Sequence, residues 1–64
     1  MPSDATPCVG DLLLVALPMS AIEGALLGQV VAFERWDMTH GYAVCIDGQG
    51  DSWHLHPESL ELIG

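Results

Sequence analysis

Basic residues are almost absent. The chain of 64 residues has no lysine and one arginine, Arg35, against nine acidic residues, a formal charge of −8. One cation cannot form a basic patch, so no nucleic-acid partner is expected. The same imbalance repels anionic lipid heads and phosphorylated cofactors. Acidity also keeps a chain that is half apolar in solution. Cysteine is scarce: Cys8 lies in a proline-containing leader and Cys45 in an apolar run. They could pair only if the leader folds back onto the domain, so reduced thiols and a cytoplasmic location are expected. The start "MPSDATP" has no basic region of a signal peptide. Long apolar runs are missing too, and "LLLVAL", residues 12–17, is far too short to span a bilayer.

What remains is a pattern of short apolar runs cut by glycine and proline. Residues 1–9 read as an extended leader, and residues 10–64 as one domain. "GD" at Gly10–Asp11 is a turn, and residues 12–17 are a strand with two greasy faces. A strand buried on one side only would alternate, so its second face is expected to meet another subunit. Leu12, Leu14 and Val15 are therefore candidate interface residues. Ser20 and Glu23 have capping-box spacing, which allows one helical turn before Gly24. "GQVVAFERW", residues 28–36, is a second strand, with Val31 and Phe33 on one face and Val30, Ala32 and Glu34 on the other. Trp36 ends it, and both a subunit seam and a core place are open to it. After the "DMTHG" turn, residues 42–47 form a third strand with Tyr42, Val44 and Ile46 on one face. "GQGD" makes a tight hairpin with two glycines available for positive φ. "SWHLH", residues 52–56, is a fourth strand ended by Pro57. "PES" is a 3₁₀ turn, and "LELI" a last strand. Five short strands with no long helix give an all-β domain. In so few residues a small closed barrel hides sheet edges better than a sandwich.

"PSDAT", "GD", "GQVV", "GYAV" and "LELI" occur in an order that resembles the plasmid-borne, trimethoprim-insensitive type II dihydrofolate reductases, over nearly the whole chain. The resemblance implies an SH3-like barrel, a homotetramer around one central pore, and genes carried on plasmids and integron cassettes. It also implies a pore in which hydride passes from NADPH to dihydrofolate. The family's pore floor is a Val-Gln-Ile-Tyr run on the fourth strand. Trp53, His54, Leu55 and His56 stand in its place. The family's lysine near the end of strand one falls at Val15, a tyrosine of strand two at Glu34, and a threonine before strand three at Thr39. These departures remove attractive charge from a site for two polyanions, and each such charge at close range is worth roughly a few kcal/mol.

Two readings of the histidines follow. Trp53 and Leu55 plug the core while His54 and His56 meet solvent, or the histidine face lines a symmetric pore. A ring of His54 side chains would change charge near neutral pH. A metal is not expected, since no H-x-x-x-H or C-x-x-C spacing exists and neither cysteine lies beside the pair. Cys45 reads as a small buried hydrophobe, and Asp47 and Asp51 as turn residues. The expectation is a self-associating SH3-like module, a homotetramer or homodimer of uncharacterised ligand. It has no cofactor, no membrane and no nucleic-acid partner. The alternatives are a divergent type II dihydrofolate reductase using NADPH, and an adaptor whose barrel groove takes a peptide.

Overall fold

The computed structural model of the chain describes residues 6–63. It is an all-β, barrel-like fold: five antiparallel strands form one open sheet with a single short helix. The strands are β1 (Leu12–Val15), β2 (Val30–Asp37), β3 (Tyr42–Ile46), β4 (Ser52–Leu55) and β5 (Leu60–Leu62). Helix α1 (Ala21–Ala25) interrupts the β1–β2 connection, and a 3₁₀ turn, Pro57–Ser59, joins β4 to β5. The sheet order is β4-β3-β2-β1-β5. Among the described residues no helix is long and apolar enough to cross a membrane.

Period-two alternation decides what is inside. Leu13 and Val15 on β1, Val31 and Phe33 on β2, Ala43 and Cys45 on β3, Leu55 on β4 and Leu60 on β5 form one core, closed at one end by Leu26. Trp36, Trp53 and Leu62 pack against it, half-buried. The doubly greasy reading of β1 resolves into two faces. Leu12 is exposed and Leu14 half-buried, but Val15 points inward with no exposure. Val15 therefore lies in the core and not on an outer surface, because it shares the inward phase of Leu13. Tyr42, Val44 and Ile46 do face outward together, yet Val44 is buried even there.

One irregularity shapes the sheet. Phe33 pairs with Cys45 and Arg35 with Val44, so β2 carries a bulge between Phe33 and Arg35. The extra residue reverses the phase of the strand. Trp36, opposite Ala43, thereby returns to the core side and meets the Phe33 ring with centroids 5.2 Å apart.

The expected closed barrel is not closed. β4 pairs only with β3 and β5 only with β1. Ala16 N–H and Leu17 N–H donate to the Ser59 carbonyl at 2.8 and 3.2 Å, which carries the β1–β5 pairing past Val15 and Leu60. The end of the leader is also tied down. Pro7 is buried, Cys8 N–H donates to Asp11 Oδ2 at 2.8 Å, and Gly10 N–H, at the start of the domain, donates to the Phe33 carbonyl at 2.9 Å. The rest of the leader, residues 1–5, lies outside the described residues. Of the two glycines in the β3–β4 hairpin, only Gly50 takes positive φ, at 88°.

With so small a core, one cavity is severe. Leu55→Ala should cost about 2–5 kcal/mol, read as a lower urea midpoint or as loss of the folded state. An unchanged midpoint would contradict the placement of Leu55.

Candidate histidine site and its buried carboxylate

The outward side of β4 carries the histidine pair, in alternation with Trp53 and Leu55 as the sequence predicts. Leu55 is fully buried, so this residue of the expected pore face offers only its backbone there. Trp53 turns toward the other side of the sheet, where its indole Nε1–H donates to Asp47 Oδ2 at 2.8 Å. His54 and His56 converge on Tyr42 of β3, with ring centroids 6.2 and 5.1 Å away, both edge-on. His40 from the β2–β3 turn stacks on the same ring at 6.4 Å. Tyr42 is thus the hub of all three histidines.

Two carboxylates flank this hub. Asp37, at the end of β2, organises the turn: its Oδ1 accepts the Thr39 and His40 N–H groups at 3.1 and 3.3 Å. Its Oδ2 lies 3.1 Å from His40 Nδ1 and 3.8 Å from His54 Nε2. The His40 ring bond leads the causes that hold the Asp37 carboxyl below its ordinary range, against a smaller desolvation effect. Thr39 is exposed in that turn, and Glu34 is exposed at the bulge. Neither reaches the rings through a hydrogen bond.

Glu23 is the second carboxylate, and it is fully buried. Ser20 caps α1 with its hydroxyl, accepting the Glu23 N–H at 3.3 Å. That is half of a capping box. The Glu23 side chain does not return to the Ser20 N–H; Oε1 accepts the Met19 N–H at 3.0 Å. Oε2 crosses to the end of β4, where it accepts the His56 N–H at 2.6 Å and meets His56 Nδ1 at 2.8 Å. Ser59 is buried against the same carboxylate. Its buried hydroxyl stands near enough to help stabilise the anion. Burial pushes the Glu23 carboxyl up. The His56 backbone and ring, Ser59 and the Met19 N–H outweigh it and hold the pKa at about 2, below 4.5.

Sequence reasoning found His54 and His56 but not Glu23, Tyr42 or Asp37 as their partners. The capping-box spacing was the only signal at Glu23, and it pointed to a local role. Cys45 is buried, and desolvation followed by the Glu34 charge pushes its thiol up to about 11. It is therefore an inert core residue. Among the described residues no three His, Cys, Asp or Glu side chains are arranged to hold a metal ion. No family model, curated protein or solved structure matches the chain.

The depressed Glu23 pKa fixes a pH dependence. The unfolded carboxyl near 4.5 binds a proton before the folded one does. Its contribution to stability is complete above that value and is lost as the pH falls toward about 2. Glu23→Gln places an amide N–H₂ among donors and should cost roughly 2–4 kcal/mol at neutral pH. The difference from wild type, read by urea unfolding, should shrink across the acid range. A constant difference would mean that the carboxylate charge is not what matters.

Proposed function

We propose that the protein is a self-associating module of the cytoplasm, whose copies stack through the outer face of β1, β2 and β5. The observation that carries this reading is a run of apolar side chains on the wet side of the sheet. The register aligns Ile63, Leu12, Ala32 and Ile46 in one cross-strand row, and Glu61, Leu14 and Val30 in the next. Leu12, Val30 and Ile63 are 45, 44 and 50% exposed in the single chain. A small domain gains stability by covering such a face.

The occupant that fits is a second copy. Arg35, the only cation, is exposed on the same face beyond these rows and has no ion-pair partner among the described residues. Glu61 borders the patch on the opposite side. A two-fold contact repeats each pairing, so Arg35 of each copy can meet Glu61 of the other while the apolar rows stack between them. Leu12 and Leu14 belong to this interface. Trp36 sits on the core side and supports it from behind. Free thiols at Cys8 and Cys45 suit a reducing compartment.

A second reading is a divergent type II dihydrofolate reductase with NADPH in a central pore. It is favoured by the outward placement of His54 and His56, where the resemblance puts the pore floor. It is opposed by Glu34 and Asp37 near that face, which repel anionic ligands. Saturable quenching of tryptophan fluorescence by NADPH would support the reductase. An unchanged signal favours the assembly module.

Light scattering after size exclusion should give a mass above one chain across the micromolar range. Leu12→Asp and Val30→Asp should each reduce it to one chain without unfolding. Arg35→Glu should do the same, with recovery on adding Glu61→Arg. A single-chain mass for the wild type at every concentration would end the proposal.

A further inference from the structure

A groove of about 490 Å³ opens between the segment after α1 and the β3–β4 hairpin, away from the apolar outer face. Leu26, almost fully buried, and Trp53, half-buried, both line it. The indole is fixed from two sides, by packing on the core and by its bond to Asp47. The opposite rim is the hairpin itself. Asp47 N–H donates to the Asp51 carbonyl at 2.9 Å, while Asp47 Oδ1 accepts the Gln49 and Asp51 N–H groups at 2.8 and 3.0 Å. The rim is preorganised by bonds within it and needs no ligand to take shape.

Its remaining polar groups are unspent. The Asp51 carboxylate and the side-chain amides of Gln29 and Gln49 line the groove, and none has a hydrogen-bond partner among the described residues. No cation lines it. An indole, a leucine and a rim of acceptors that includes the Asp51 carboxylate suit a single kind of group. A guanidinium stacks on indole through its plane, directs its N–H donors at carboxylate and amide oxygens, and lays its aliphatic stem on apolar surface. An ammonium would meet the charge but not the plane.

We infer that this groove binds an arginine side chain presented by a basic segment of a partner protein. The arginine comes from outside the chain, since Arg35 lies on the outer face in β2. The net charge of −8 steers such a segment toward the surface. The groove is built from one chain, so this inference stands apart from self-association and can fail without it.

The test follows the Trp53 indole N–H by ¹⁵N NMR, with the Trp36 indole as internal reference. The probe is the capped peptide Ac-Gly-Arg-Gly-Arg-Gly-NH₂, and its control is the same peptide with citrulline, the neutral isostere. The arginine peptide should shift the Trp53 signal saturably and the citrulline peptide should not. Asp51→Asn, at an exposed position, should weaken binding about tenfold or more. Glu58→Gln makes the same charge change outside the groove and should leave the affinity near wild type. An unmoved Trp53 signal, equal shifts from both peptides, or equal weakening by both variants would overturn the inference.

Discussion

The structure depends on one buried carboxylate placed at the end of the edge strand β4. A five-stranded sheet this short leaves β4 and β5 unpaired with each other, and backbone donors at such a seam must find acceptors. Glu23 supplies them. From a single helical turn it accepts one N–H beside its own helix and another at the end of β4, and it holds the His56 ring. The β1–β2 connection is thereby locked onto the far end of the sheet. The charge is buried, but four donors converge on or near it, and that makes an otherwise costly burial stable.

The same lock determines how the histidines sit. His56 is held at Nδ1, so its ring presents an edge to Tyr42. Asp37 acts similarly on His40 from the other side. The histidine face is therefore an ordered set of rings between two anions, with Tyr42 at its centre. Such a face is organised without any ligand, whether it meets water or another copy.

Much of the fold was legible in the residues. Alternation set Val31 and Phe33 on one face of β2 and Leu55 opposite His54 on β4, the structure showed which of those faces is the core, and glycine and proline marked the turns. The 3₁₀ turn at Pro57 and the helical turn after Ser20 were also readable. Three things were not. Val15 looked like a second greasy face of β1 because a run of six apolar residues hides its own phase. Trp36 could not be assigned because the bulge that decides its side has no sequence mark beyond Glu34 and Arg35. The Glu23–His56 contact joins residues 33 positions apart, and no local spacing reports such a pair. The histidine pair was visible as a motif. Its partners emerged only when folding brought the β2–β3 turn and α1 to opposite ends of it.

The bulge in β2 has a further meaning for the division of the surface. Before it, even-numbered residues look outward and contribute to the apolar rows; after it, odd-numbered ones do, and they lead to Asp37 and the rings. A single inserted residue thus acts as a switch in parity along one continuous strand. Residues in the two halves answer to separate neighbourhoods, so drift in one stretch leaves the other's facing untouched. Loss of the insertion would turn the second half inside out.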